Sequence, residues 1–227
     1  MNEKQIIISK SDLMAFLECP QKFKDLKEGK VKIEGYRVDI GSGFHLGVDW
    51  FWEHISIKDG VPVLPKLPSK DRLLKKLFNN FKEVVKLRWQ ECNGDLQKFY
   101  PIFTEEEFSA NTKILDKDVI LVGHIDMVDR DEEEGMVIPI EWKTGKVEHS
   151  HELEIIFYSY LLTLNNFKVR KGIIYYPFQN KVKIVEVNDE KINRLKKILE
   201  SMVWHLENNL YYHRPNCGCK EEVKNVQ

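Results

Sequence analysis

Apolar residues recur along this chain in distinct rhythms, and each rhythm predicts an element. After Ser69 and Asp71, the residues Leu73, Leu74, Leu77, Phe78, Phe81, Val84, Val85 and Trp89 keep the three- and four-residue spacing of one helix face, and Asn93-Gly94 supplies a stop. The opposite face bears Lys70, Arg72, Lys75, Lys76, Lys82, Lys86 and Arg88, partly offset by Asp71 and Glu83. It is the most basic helix of the chain, either a solvated face or a contact for a nucleic-acid backbone. Phe44, Val48, Phe51, Trp52 and Ile55 predict a helix over 41–55, entered through its glycines, with His45 beside the stripe. Two further helices are predicted over His151–Phe167 and, capped by Asp189, from Ile192 through Leu195, Leu199 and Val203 to Leu206. Near the start, Ser9 or Ser11 can cap a helix through Leu13, Phe16 and Leu17 towards Phe23, which Pro20 should kink or divide. The lysines from Lys22 to Lys32 read as a solvated face or a phosphate-contacting edge, and the prolines of 58–68 as a surface connection.

A two-residue rhythm takes over in the middle of the chain. Phe103–Leu115 reads as a strand that opens on Glu105, Glu106 and Glu107; three such acids cannot all point inward, and Glu107 alone could face the adjoining β-hairpin. In that hairpin, Val119–Asp129 and Met136–Lys143 are rich in β-branched and apolar residues and flank an acidic loop from Asp131 to Gly135. Closing the loop between Asp129 and Ile138 sets Asp126 opposite Glu141. Glu141 and Lys143 then share a face, with Trp142 turned away. Pro139 has no amide to donate and is expected at an edge or bulge, and Asp131–Glu134 are expected to be solvated turn residues. Gly172–Phe178 and Val182–Val187 predict a second hairpin through Gln179-Asn180. Strands interleaved with helices imply an α/β domain whose mixed sheet is covered by helices on its faces.

Composition narrows the setting. A chain of 227 residues with 42% hydrophobic content suits a single domain over 1–227, with an N-terminal helical segment (1–40) and a cysteine-containing tail (211–227). The formal net charge of −1 excludes a global attraction to nucleic acid or anionic lipid, though not a local basic groove. No stretch resembles a signal peptide and no apolar run is long enough to span a bilayer, so the expected setting is the cytoplasm, away from membranes. There Cys19, Cys92, Cys217 and Cys219 would not form a disulfide framework.

The hairpin carries the candidate chemistry. A calcium-loop reading of its acidic turn fails on spacing: a count from Asp129 puts Gly135 one place late, and a count from Arg130 makes a cation the first ligand. No G-x-S-x-G elbow is present, and no cysteine has an assignable histidine partner. Asp126 and Glu141, joined by the backbone carbonyl of Trp142, would suit Mg²⁺. Such an ion acidifies its bound water and neutralises charge on a scissile phosphate, with Lys143 orienting or deprotonating that water or stabilising the transition state. An ion pair at a sheet end accounts for the same three residues equally well.

GHIDMV followed by IEWKTGK resembles the active-site hairpin of the PD-(D/E)XK nuclease superfamily, and more narrowly its RecB-like branch. The opening SKSDLMAFLECPQKFK is similar to that branch's N-terminal serine and Cys-Pro pattern. His45 in GSGFHLGV occupies the place of its upstream histidine, and ELEIIFYSYLL resembles its Q-x-x-x-Y motif with Glu154 in place of glutamine and Tyr158 retained. The resemblance spans residues 9 to about 162, with the motifs in the right order. It implies a restriction-endonuclease-like fold. It also implies a metal-dependent DNA nuclease using Mg²⁺ or Mn²⁺, an exonuclease on single-stranded DNA ends in CRISPR adaptation or in recombination and repair. The alternative is an inactive DNA-binding or adaptor subunit on the same fold. By position, His45, Asp126, Glu141 and the carbonyl of Trp142 would hold the metal and Lys143, with Asp126 and Glu141, would be catalytic. Tyr158 and Glu154 would contact DNA or support the site, and Glu107 would be an outer acid. Part of this branch, including CRISPR-associated exonucleases and the AddB nuclease domain, carries a four-cysteine iron–sulfur cluster. Cys19, Cys217 and Cys219 match its regions, but the C-x-C spacing departs from its pattern and 220–227 holds no further cysteine. Zinc is the other metal thiolates favour.

Overall fold

The computed structural model describes residues 5–30, 36–131, 135–215 and 217. In chain order the elements are β1 (Ile6–Ser9), α1 (Lys10–Glu18), α2 (Pro20–Lys27), α3 (Tyr36–His54), β2 (Ser56–Lys58), β3 (Val61–Val63), α4 (Arg72–Glu91) and α5 (Leu96–Phe99). Next come β4 (Phe103–Ile114), β5 (Lys117–Arg130), β6 (Val137–Trp142), α6 (Ser150–Leu164), β7 (Lys171–Tyr176), β8 (Lys181–Glu186) and α7 (Asp189–Asn208). The central sheet runs β1-β5-β6-β7-β8, with β4 also paired to β5. β1–β5 and β6–β7 are parallel and the other pairs antiparallel, so the sheet is mixed, as the alternation of strands and helices predicts.

Two apolar layers sandwich the sheet. On one face, Leu13, Phe16 and Phe23 of α1–α2, Ile155, Tyr158 and Leu162 of α6, and Leu195, Leu199 and Val203 of α7 pack over Leu121, Ile125 and Ile174. On the other, Phe44, Phe51 and Trp52 of α3 and Leu77, Phe78 and Phe81 of α4 pack over Met127, Ile138, Ile140 and Trp142. The periodic positions read from the sequence are the ones that face the sheet. α6 lies so close to β7 that a Cβ on Gly172 would stand 2.4 Å from Ile155 Cγ2 and 3.1 Å from the Pro139 carbonyl. Gly172→Ala should therefore destabilise the fold by about 1–3 kcal/mol, read from urea denaturation, because neither the helix nor the β6 backbone can yield locally.

Strand β5 organises the site. One of its edges pairs with β4 over nearly its whole length. The other edge is shared: β1 covers Val119–Val122 in parallel, and β6 covers Met127–Arg130 antiparallel. The C-terminal ends of β1 and β6 thus point at each other across Gly123–Asp126, where among the described residues β5 has no strand on that side. This fork is a switch point of strand direction, where side chains from several elements can converge on a cleft.

Several expectations are corrected. Ile6–Ser9, a stretch ahead of the predicted first helix for which no strand is expected, is a strand, and Cys19 separates α1 from α2 at the predicted break before Pro20. α3 begins at Tyr36, so Gly41 and Gly43 lie inside it and not at its entry. A small hairpin, β2–β3, turns through Asp59-Gly60 within the proline-rich connection. Asn188, not Asp189, caps α7, accepting from the Lys191 amide. Pro139 lies in a central strand. It falls where β6 has only begun to meet β7, between the isolated Met136–Lys168 bridge and the ladder from Ile140–Ile173, so the amide it lacks interrupts a ladder inside the sheet and not at its edge. Asp131 is buried and ion-paired to Arg170 at 2.8 Å and Lys171 at 3.0 Å, so it is not a solvated turn residue. Glu132, Glu133 and Glu134 lie outside the described residues. Arg88 leaves the basic face of α4 to pair with Asp129 and cap the α5 carbonyls of Lys98 and Phe99. Lys22, Lys24 and Lys27 pair with Glu18, Glu28 and Asp12 along the α2 surface.

Candidate active site

The hairpin register is the predicted one: Met127 pairs with Ile140 and Asp129 with Ile138. Past Met127 the strands part, and Asp126 fills the fork. Its Oδ2 accepts from the backbone amide of Trp142 at 2.7 Å, while Oδ1 lies 3.2 Å from His45 Nδ1. The alternation of β5 breaks at this point. Ile125 and Val128, three residues apart, both pack in the α6 layer, while Met127 packs in the α3 layer. Opposite the break, Glu105 of β4 takes a left-handed backbone, φ 46°, a cost tolerated where surrounding structure holds the residue for a purpose. Its carboxylate is drawn in, at 3.2 Å from both His45 Nδ1 and His124 Nδ1.

His45, Glu105 and Asp126 together offer one nitrogen and two carboxylate ligand atoms, all within 4.8 Å of one another. Burial would lower the His45 pKa, but Asp126 and then Glu105 more than offset it and raise it to about 10. The imidazole is therefore a cation bridging two acids, and a divalent ion taking this place would displace its proton.

A second charged set lies on the α6 side of the fork. Lys143 Nζ is 2.7 Å from both Glu141 Oε1 and Glu154 Oε2. Lys10, the first residue of α1, places its Nζ 3.0 Å from Glu154 Oε2 and 3.7 Å from Glu141 Oε1. Burial disfavours the charge on Lys143, yet Glu141 and Glu154 outweigh it and hold the ammonium well above its ordinary range. Lys143 is thus a fixed cation and not a free base in this state. Burial and the surrounding carboxylates likewise keep the Tyr158 phenol protonated. Its ring lies against Gly123, where a Cβ would stand 3.0 Å from Tyr158 Cε1, so the glycine of the hairpin motif is what lets the ring reach the cleft. Among the described residues, Glu141 Oε2 and Tyr158 Oη are buried without a hydrogen-bond partner. Burying such groups unpaired is costly, and both border a cleft of about 600 Å³ lined by Lys10, His45, Glu105, Asp126, Lys143 and Ser42 among others. Donor chemistry and orphaned oxygens fit a hard divalent cation bound beside an anionic ligand.

The cleft brings together His45, Asp126, Glu141, Lys143 and Tyr158, with Glu154 behind them. Trp142 sends its indole into the α3–α4 layer and offers only backbone to the site. Glu107 lies on the cleft rim and is exposed, and Glu105 takes the inner place. Glu105 was legible in principle: Leu115 and Asp116, both with positive φ, form the two-residue turn joining β4 to β5, and from that turn the register runs back to set Glu105 opposite Asp126. Lys10 had no such signal, since only the pairing of β1 with β5 brings it to the fork.

A separate cluster forms where the tail crosses the α1–α2 junction. The Tyr212 carbonyl accepts from Gln21, and Arg214 donates to the Leu17 carbonyl. His213 Nδ1 then lies 3.9 Å from Cys19 Sγ and 3.7 Å from Cys217 Sγ. Cys219 lies outside the described residues, and Cys92 caps the C-terminus of α4.

A mixed sheet between two helical layers, forked over a carboxylate–lysine cleft, defines a nuclease fold of the kind that works with divalent metal. The chain matches the family model of the PD-(D/E)XK nuclease superfamily over residues 7–221 and belongs to that superfamily. No curated protein matches it by sequence. Among solved structures it is similar to the crystal structure of SSO0001, with 14% identity, a TM-score of 0.51, and coverage of 100% of this chain and 87% of that one, a likeness of fold. A match to Scheffersomyces stipitis Rai1, 12% identical over 97% of this chain and 80% of that one, has a TM-score of 0.28 and bears no weight. No helix among the described residues is long and apolar enough to cross a membrane.

Proposed function

We propose that this protein is a Mg²⁺- or Mn²⁺-dependent deoxyribonuclease acting at the free ends of single-stranded DNA, as the RecB-like motifs imply. The observation that carries the reading is the fork itself. One cleft holds a nitrogen-and-carboxylate trio, a carboxylate with an unpartnered buried oxygen, and a lysine kept charged beside it. His45, Glu105 and Asp126, with Glu141 turning from its lysines, would hold the ion, which supplies an acidified water and neutralises phosphate charge. Lys143 is the cation that stabilises charge developing on the phosphate, and Tyr158 is a protonated donor at the cleft wall. Glu105 is an addition to the ligand set expected from the motifs, and the carbonyl of Trp142 stays a proposed ligand. Incubation with Mg²⁺ or Mn²⁺ should degrade end-labelled linear single strands and spare covalently closed circles; rapid cutting of circles would refute the exonuclease assignment. Calorimetric titration of Mn²⁺ should show saturable binding, weakened at least about tenfold in Glu105→Gln. Unchanged affinity in that variant would remove Glu105 from the ligand set.

The trio of Cys19, His213 and Cys217 favours a second, structural metal, either zinc or an iron–sulfur cluster completed by Cys219. Anaerobically purified protein should contain stoichiometric zinc or iron by elemental analysis, and a brown colour distinguishes the cluster. A role in CRISPR adaptation or in recombination, with the proteins of those processes as partners, rests on the motif resemblance.

A further inference from the structure

Lys10 stands where the local structure does not favour it. It is the first residue of α1, at the helix end where the backbone amides already concentrate positive charge and a lysine is disfavoured. Its placement is nonetheless tightly determined. The Ser9 hydroxyl accepts from the Asp12 amide at 3.1 Å, Asp12 accepts from the Ser9 amide at 2.7 Å, and Lys27 ties Asp12 and the Ile7 carbonyl together. β1 ends on the pair Ser9–Val122, one residue short of the fork, so the next side chain is delivered into the cleft. There Lys10 Nζ lies 3.0 Å from Glu154 Oε2, the same oxygen that Lys143 reaches at 2.7 Å, and 6.0 Å from the centre of the Tyr158 ring.

The charges explain the arrangement. Lys10 and Lys143 face Glu141 and Glu154, two of each sign, and each lysine touches both acids. Without Lys10, Lys143 alone would have to balance two buried carboxylates in a cleft meant for a phosphodiester, itself an anion. Glu154 would then hold Lys143 back and repel the substrate. With Lys10 present, Glu154 is neutralised from its other side and serves as a rigid strut between the two ammonium groups.

We propose that Lys10 is a positioning residue of this site, balancing Glu154 so that Glu154 fixes Lys143 without consuming its charge. The inference rests on the nuclease reading above. The test is a double-substitution cycle on the full chain. Lys10→Met should lower kcat for DNA cleavage about a hundredfold, the scale of a misplaced active-site group, with a smaller change in KM. Adding Glu154→Gln to that variant removes the excess anion and should restore cleavage to within a few-fold of the unsubstituted chain, whereas Lys10→Arg should keep most of the activity. Chemical denaturation of the four proteins of the cycle (the unsubstituted chain, Lys10→Met, Glu154→Gln and the double variant), without metal or DNA, should show Lys10→Met more destabilising when Glu154 is present than in the Glu154→Gln background. Wild-type rates in Lys10→Met, or a double variant slower than Lys10→Met, would overturn the positioning role while leaving the nuclease reading intact. Absence of coupling in denaturation would overturn the pairing itself. A wild-type chain that cleaves no DNA under any divalent ion would overturn the nuclease reading and the positioning role with it.

Discussion

Asp126→Asn is expected to lower metal-dependent DNA cleavage by about two to three orders of magnitude or more, and Lys143→Ala to do the same, with both proteins still folded. The two substitutions act on different parts of the fork. Asp126 touches His45 with one oxygen and the Trp142 amide with the other. Asparagine keeps the size, and its amide oxygen can still accept from Trp142, so the hairpin should hold. What is lost is the charge a divalent ion needs, and calorimetry should show metal binding weakened in parallel with the rate. Lys143→Ala removes a cation and leaves metal binding to the trio in place, so its loss should fall on kcat with binding of Mn²⁺ retained. That contrast separates a metal centre from a simple ion pair at a sheet end. Rates near those of the wild type in either variant would refute the assignment of the site.

The second large effect belongs to the opposite layer. Phe81 of α4 is 1% exposed and lies edge-on to Phe44 at 6.3 Å, Phe51 at 5.0 Å and Trp142 at 5.3 Å. Phe44 precedes His45 on α3, and Trp142 lies between Glu141 and Lys143, so this one ring spaces the helix that carries His45 from the strand that leads to Lys143. Phe81→Ala should cost about 3–5 kcal/mol by denaturation, since the cavity is walled by three aromatic rings of α3 and β6 that cannot all close in. Metal affinity should fall as well, because α3 loses the contact that seats His45. A loss below about 1 kcal/mol would show that the layer collapses to fill the gap.

The corrections share a physical origin. Strict alternation predicts which side chains share a face only while the ladder is regular, and at Asp126 it is not. Ile125 and Val128 fall on one side of the sheet, and the paired irregularity at Glu105 brings in the inner acid, while Glu107 stays on the rim. Asp131 has the composition of a turn residue, and its ion pairs with Arg170 and Lys171, about forty positions later, offset the cost of burying it. Pro139 reads as an edge or bulge residue, and the interruption it causes falls inside the sheet because β7 joins β6 late.

Residues near one another in the chain were decided by the sequence alone. The 3.6-residue stripes of α4, α6 and α7, the break at Pro20 and the register of β5 on β6 follow from local sterics, periodicity and a short loop, and they place Asp126, Glu141 and Lys143 within reach of one another. Tertiary structure decided the rest. The parallel pairing of Ile6–Ser9 with Val119–Val122 spans more than a hundred residues and has no turn to announce it. That pairing opens the fork, delivers Lys10 and, with the left-handed Glu105 and the returning tail at Cys19, assembles the charges that a linear reading of the chain keeps apart, because partners so distant are chosen by what the whole core can bury and not by their neighbours.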